Sequence, residues 1–585
     1  VFAAGYDTNP EEDTSSVMDV GADLEAIETV CADDSVPDQG GQPSHEGVST
    51  VGLAADEVEG LLERLVEQSL VTAHITPTTV RYSLLESIRL FTRQQLEQRS
   101  TAEVDEPARL ARRHRHYYRD KVVAAQRNWF SPAEQDLLDW ARVAADNITI
   151  AIETSFAAGD AALGLEVSTG LVALPIYRGS PREICRWIER TLQATRTLTP
   201  QPIDLQIEAM TGIGWLALVQ GRNEDAERIF EECAALGIHD PNLGANWRRN
   251  PETDCGLPAA LEFFWGVELM FAHRDPRAVT VLARAREKFR AVGDPSGEGR
   301  SEWHTALAAN FLGSAQQAMH LSQQHLEHAT GSGARWATSW AELVWAIALS
   351  KYGDPTEALT IGRSTLANQE AVHDQWGASL SLLIRIWALA QVITNSIAAG
   401  DTDRAGLTAL ATETAQLAGG VAALRAGPGV YFGDLGLFAD ETNKAIDIAR
   451  RVLGDEAFAA AQKQGSRLRP ELREVHRLAL GTMSIDRMPP DSPARADAPP
   501  RWDELSTAEQ EVAILAAAGW TNAAIAARRG ISRRTVDAQM AAIFQKLTIT
   551  SRTDVIELVP KQWIGQVRAE AARRPPARRR AHRQR

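Results

Sequence analysis

Cysteine is scarce in this 585-residue chain: the four residues Cys31, Cys185, Cys233 and Cys255 form no CxxC pair and have no histidine at ligand spacing. That pattern excludes a disulfide framework and a zinc site, so buried reduced thiols are expected. Lysine is nearly as rare, and none of the seven stands in a GxxxxGK[ST] loop. No apolar run approaches the roughly eighteen uncharged residues of a bilayer span. Val1 to Pro10 also lacks the basic-then-apolar layout of a signal peptide, so a soluble cytoplasmic protein with no membrane attachment is expected. The thirteen histidines are dispersed, and no acid, base and nucleophile set converges. No enzyme activity, cofactor or metal is therefore expected. What the chain does have is 44% hydrophobic and 24% charged residues, enough for several domains with their own cores.

Charge is unevenly placed. Residues 1 to 63 hold sixteen Asp or Glu and no Lys or Arg, whereas Arg501 to Arg585 holds sixteen Lys or Arg against eight Asp or Glu. The net charge of -16 thus hides a basic C-terminal pole, concentrated in the arginines from Arg568 to Arg585. Residues 567–585 read as an Arg-rich disordered tail, broken from any helix by Pro575-Pro576 and suited to non-specific phosphate contact.

Residues 1–50 read as an acidic, largely flexible segment whose one helix candidate is Leu24 to Val30. In residues 51–106 a helical stripe, Val58, Leu61, Leu62, Leu65 and Val66, is followed by two β-prone runs, Val71 to Ile75 and Val80 to Leu84, and a further helix. That order is winged-helix-like. Val1-Phe2-Ala3-Ala4-Gly5-Tyr6, Leu61 to Val71 and Arg81-Tyr82-Ser83-Leu84-Leu85-Glu86-Ser87-Ile88-Arg89 resemble the winged-helix segment that follows the nucleotide-binding domain in the large STAND-class transcriptional regulators. The phosphate-binding loop which that resemblance implies upstream is not in this chain, so no ATPase activity is expected here.

Residues 107–482 read as helix after helix. A glycine followed five residues on by a small or apolar residue opening a new helix recurs at Gly179, Gly221, Gly313, Gly353 and Gly400, with a weaker copy at His273. Left-handed glycine would close one helix and the small residue, Ile184, Ala226, Ala318, Ala358 or Ala405, would let the next approach closely. The intervals of 40 to 52 residues exceed the 34 of a strict tetratricopeptide repeat. Ile207 to Leu236 nevertheless resembles one such unit, and the fold class is mainly α, with an α-solenoid of tetratricopeptide-like pairs. Trp265, Trp303, Trp336, Trp340, Trp345, Trp376 and Trp387 fall at helical spacing and are expected in the core. Residues 483–501, rich in proline, form a linker.

Residues 502–566 carry the most specific pattern. Ser506 with Glu509 is a capping box, Thr521 caps a helix from Asn522 to Arg529, and Ser532 caps a third from Arg533 to Leu547. In that third helix Val536, Met540, Ile543, Phe544 and Leu547 make one apolar stripe. Leu505-Ser506 to Glu509, Glu511-Val512, Gly519, Thr521-Asn522, Ile525-Ala526, Ile531-Ser532, Thr535-Val536, Ile543, Lys546-Leu547 and Ser551-Arg552 resemble the LuxR-type (GerE-like) helix-turn-helix, a four-helix domain. The resemblance implies that Arg533 to Leu547 is the recognition helix and that a fourth helix, Thr553 to Ile564, supports dimer formation. Gln539, Arg529 and Thr548 stand where that family usually has His, Leu and Gly.

The expectation is a DNA-binding transcriptional regulator that binds promoter DNA as a homodimer, associates with the nucleoid when bound, and meets RNA polymerase or another protein. Its solenoid would sense a small-molecule or peptide effector or dock a partner. Arg533, Arg534, Asp537, Ala538 and Ala541 are placed near base edges, and Thr521, Asn522, Thr535, Lys546 and Arg552 near the backbone. The alternative is a protein-interaction scaffold with a degenerate helix-turn-helix, supported by Asp537, Arg529 and the missing nucleotide-binding domain.

Overall fold

The computed structural model describes residues 21–33, 53–75, 80–100, 105–174, 181–238, 247–400, 402–424, 435–485, 502, 505–529, 536, 539, 540, 543, 547, 555 and 558–573. The chain divides into two compact units, one whose described residues run from 21 to 485 and one from 502 to 573.

The first unit opens with strand β1 (Ala22–Asp23) and helix α1 (Leu24–Cys31), then α2 (Ala55–Glu67), β2 (Val71–Ile75), β3 (Val80–Leu84) and α3 (Glu86–Arg99). The sheet order is β1-β3-β2, all antiparallel, with Ala22 opposite Tyr82 and Val71 opposite Leu84. The hairpin occupies the two expected β-prone runs. Of the α2 stripe, Val58 and Leu62 are buried while Leu61 and Leu65 are exposed.

Residues 22–31 belong to this same module, across the compositional boundary at 50/51. The cause is local chemistry within the acidic stretch. Asp23 caps α1 by accepting from the Ala26 amide at 2.8 Å, and Ala26, Ile27 and Val30 bury against Val58, Leu62 and Tyr118. Arg81, buried in β3, donates to the carbonyls of Gly21 and, at 2.9 Å, of Val143.

The rest of the first unit is helical: α4 (Glu106–Asn128), α5 (Glu134–Ala157), α6 (Ala161–Gly170), α7 (Pro181–Thr195), α8 (Ile203–Val219), α9 (Asn223–Gly237), α10 (Ala259–Glu268), α11 (Ala278–Ala291), α12 (Pro295–Leu312), α13 (Ala315–Ser332), α14 (Arg335–Tyr352), α15 (Pro355–Ala371), α16 (Gln375–Ala398), α17 (Arg404–Leu424), α18 (Gly436–Leu453), α19 (Asp455–Gly465) and α20 (Glu474–Ala479). From α8 onward successive helices pack pairwise into a solenoid.

The small residues at the second-helix entrances are fully buried at Ala226, Ala278, Ala318 and Ala358. Ala405 is exposed, so the pattern fails at the last copy. The glycines close their helices in two ways. Gly221 and Gly400 are left-handed (φ 73° and 74°), as expected, and Arg274 (φ 53°) takes that role in the weak copy. Gly313 and Gly353 instead have φ of -91° and -125°; there a Cβ would press on the preceding turn, at 2.9 Å from the Ala309 carbonyl oxygen and 3.0 Å from Leu349. Gly179 lies outside the described residues.

Further order comes from side-chain caps. Asp294, Ser314, Asp354 and Asp374 each accept from a backbone amide in the first turn of α12, α13, α15 and α16 respectively. Asp374 does more. Buried, it also accepts from the indoles of Trp336 (3.0 Å) and Trp340 (2.7 Å), and burial raises its pKa. The tryptophans named above are all buried or half-buried, Trp265 completely.

Helix α16 has the length and hydropathy of a membrane span, with Arg385 its one charged residue, and 72% of that apolar window is buried inside the fold. Cys185 and Cys233 are buried free thiols, as expected, whereas Cys31 and Cys255 are half-buried. Among the described residues no three His, Cys, Asp or Glu side chains cluster as a metal site.

Candidate nucleic-acid interface

The second unit is built on helices α21 (Thr507–Ala517) and α22 (Asn522–Arg529), residues of a third helix, and α23 (Ile564–Ala572). The capping box at the start of α21 is formed: the Ser506 hydroxyl accepts from the Glu509 amide (3.3 Å) and the Glu509 carboxylate accepts from the Ser506 amide (2.6 Å). Gly519 (φ 80°) makes the turn that a side chain would strain, and the Thr521 hydroxyl accepts from the Ala524 amide to start α22.

The core joins these elements. Val512, Leu515, Trp520 and Ile525 pack with Val536, Met540, Ile543 and Leu547. Those last four are at most 7% exposed and all helical, so the expected stripe of the third helix faces the core. Phe544 lies outside the described residues.

Arg529, half-buried at the end of α22, ties three elements together. It donates to the Ala508 carbonyl (3.1 Å), to Glu511 (2.8 Å) and to the side-chain oxygen of Gln539 (3.1 Å). Both it and Gln539 are departures from the usual family residues, and the structure makes them partners. In the sequence the two residues stand ten positions apart, and their joint departure is the one signal of the pair.

The C-terminal helix corrects two expectations. It spans Ile564–Ala572, while Val555 and Leu558, inside the expected fourth helix, lie in tight 3-10 turns. The stretch from 567 to 572, assigned to a disordered tail, is therefore ordered. Val567 is buried, the Trp520 indole donates to the Glu570 carbonyl (2.9 Å), and Arg528 pairs with the Glu570 carboxylate (2.9 Å) while standing over the Trp520 ring at 5.4 Å. One acidic residue among the arginines thus anchors the helix. The tail from 574 onward lies outside the described residues.

Of the ten site residues expected from sequence, Thr521 and Asn522 are described, at the exposed turn and first residue of α22. Arg533, Arg534, Thr535, Asp537, Ala538, Ala541, Lys546 and Arg552 lie outside the described residues.

Residues 503–559 match GerE, the bacterial regulatory proteins of the luxR family. No curated protein matches the chain. Among solved structures, a signal transduction ATPase with numerous domains (STAND) protein with a tetratricopeptide repeat sensor from Pyrococcus horikoshii is similar at 13% sequence identity and a TM-score of 0.37. That alignment covers 72% of this chain and 60% of the other, so this chain spans less than two thirds of its length. The C-terminal module is a LuxR-type helix-turn-helix, the domain of a DNA-binding regulator.

Proposed function

We propose that this protein regulates transcription by binding promoter DNA through residues 502–573, with Arg533 to Leu547 as the recognition helix. The observation that carries this is the luxR-family match over 503–559 together with the buried face formed by Val536, Met540, Ile543 and Leu547. In the sequence, Arg534, Asp537, Ala538 and Ala541 fall outside that apolar stripe, the pattern expected of a face turned to DNA. Arg533, Arg534, Asp537, Ala538 and Ala541 then read base edges, while Thr521, Asn522, Thr535, Lys546 and Arg552 hold the phosphate backbone. Asp537 accepts from a cytosine amino group, the usual contact of a carboxylate in the major groove.

The solenoid of the first unit is the sensing part, taking an effector or a protein partner such as RNA polymerase, and the protein binds paired half-sites as a homodimer. The test is selection of bound fragments from genomic DNA by the full chain, with and without residues 574–585, at two salt concentrations. An enriched two-fold-symmetric motif that survives tail removal supports the proposal. Motif-free binding that vanishes with salt or with the tail rejects it and favours an interaction scaffold.

A further inference from the structure

Helices α15, α16 and α17, with residues 478–485, line a cleft of 780 Å³ within the first unit. Three arginines face it, Arg363 from α15, Arg385 from α16 and Arg404 at the start of α17, against one carboxylate, Glu413. Glu413 is paired with Arg385, whose Nε and Nη2 both donate to its Oε1, at 2.8 and 2.5 Å.

The remaining nitrogen of Arg385 is the informative atom. Its side chain is 10% exposed, and Nη1 is buried without a hydrogen-bond partner. A buried cationic N–H left unsatisfied costs about 1–3 kcal/mol, a penalty that a small turn of the guanidinium onto an anion in the cleft would remove. Among the described residues, the exposed guanidinium groups of Arg363 and Arg404 have no carboxylate partner. The Thr408 and Thr412 hydroxyls donate back to the carbonyls of Arg404 and Thr408, so neither supplies a counter-charge. Ala409, Leu478, Met483 and Ile485 give the wall an apolar part, beside the uncharged Gln416 and Ser484.

We propose that this cleft binds a small organic anion, its carboxylate or phosphate head held by Arg363, Arg385 and Arg404 and its aliphatic body against Ala409, Leu478, Met483 and Ile485. Guanidinium forks match the geometry of both head groups, and a few convergent polar groups over an apolar wall is the usual make-up of a small-molecule site. Met483 and Ile485 lie immediately before residues 486–501 in sequence, the stretch that leads to the helix-turn-helix. A ligand there acts on the end of the solenoid closest in sequence to the DNA-binding module. This inference rests on the sensing half of the proposed function and is independent of the DNA-binding half.

The experiment is isothermal titration of the full chain, without DNA, with hexanoate, hexyl phosphate, inorganic phosphate and hexanol. Saturable one-site binding of hexanoate or hexyl phosphate is expected, and the tighter of the two names the head group. Inorganic phosphate is expected to bind more weakly and hexanol not at all. In the R363Q/R404Q variant, whose changed residues are exposed, affinity falls by about tenfold or more with an unchanged melting temperature. The absence of saturable binding by either hexyl anion at millimolar concentration overturns the proposal. So does hexanol binding as well as the anions, or an unaltered affinity in R363Q/R404Q. None of these results bears on DNA selection, so the two failures are distinguishable.

Discussion

Arg529 donates to Gln539 at 3.1 Å, joining the end of α22 to the third helix of the module. The same guanidinium holds the Ala508 carbonyl and Glu511 on α21, so a position where the LuxR type usually carries leucine is a polar clamp here. Arg529 therefore has a structural role in the module. Arg529→Ala is expected to loosen the module by about 1–3 kcal/mol and Gln539→Ala by about 0.5–1.5 kcal/mol, with the double variant less than additive. Hydrogen exchange over residues 505–529 in the full chain measures this; strict additivity would mean that the two side chains do not cooperate.

Removal of residues 574–585 deletes six arginines and no acidic residue, while leaving the Trp520 and Glu570 contact of α23 intact. The slope of log affinity against log salt is expected to become shallower by at most about 5, with no change of preferred sequence. Lys546→Ala with Arg552→Ala should lower affinity for every sequence and flatten the slope by about 2. Binding titrations on one oligonucleotide at several salt concentrations give both numbers, and an unchanged slope removes Lys546 and Arg552 from the phosphate contacts.

The helix-turn-helix was legible because its signals are local. Ser506 with Glu509, Thr521 before α22, and the apolar positions from Val536 to Leu547 each act within one or two turns. Arg529 with Gln539 and Trp520 with Glu570 were not legible, since each pair spans two elements and becomes visible only when the elements pack. In the solenoid, the Gly plus small-residue pattern located the helix turns, but assigned one backbone conformation to all the glycines. At Gly313 and Gly353 the glycine is needed for close approach to the preceding turn. The recurring aspartates at Asp294, Asp354 and Asp374 are an equally good boundary signal, since each caps the helix that follows it.

Helices α17 and α19 cross at two glycines. A Cβ on Gly465 would lie 1.8 Å from the Gln416 carbonyl oxygen, and one on Gly419 would lie 2.0 Å from that of Gln462. Both clashes are with backbone, which cannot rotate away as a side chain would. Gly465→Ala is therefore expected to destabilise the first unit by about 3 kcal/mol or more, at or beyond the usual overpacking range. Gly362→Ala, where a Cβ would meet nothing within 4 Å, should be neutral or stabilising. Thermal unfolding of the two variants provides the comparison, and equal midpoints would refute the close crossing.

His304 is buried with both ring nitrogens committed. Nε2 accepts from the Trp215 indole at 3.2 Å, and Nδ1 donates to the Arg300 carbonyl at 2.8 Å. An indole N–H only donates and a carbonyl only accepts, so one neutral tautomer satisfies both. Burial, outweighing the Arg300 carbonyl contact, pushes the pKa down to about 3. His114, also buried, is pushed down to about 4 by the same cause. The unfolded chain takes up these protons near pH 6.5 and the folded chain does not, so both groups contribute stability that is complete above about pH 6.5 and shrinks as pH falls toward the folded values. Acidification from pH 7 to pH 5 should then lower stability by up to about 1.4 kcal/mol per pH unit for each histidine. His304→Gln can retain an acceptor and a donor without titrating. Its unfolding free energy, measured by denaturant titration from pH 7.5 to pH 5, is expected to fall less steeply than that of the unaltered protein. Identical pH slopes would mean that His304 takes up its proton as readily in the folded chain as in the unfolded one and that the Trp215 contact does not hold it neutral.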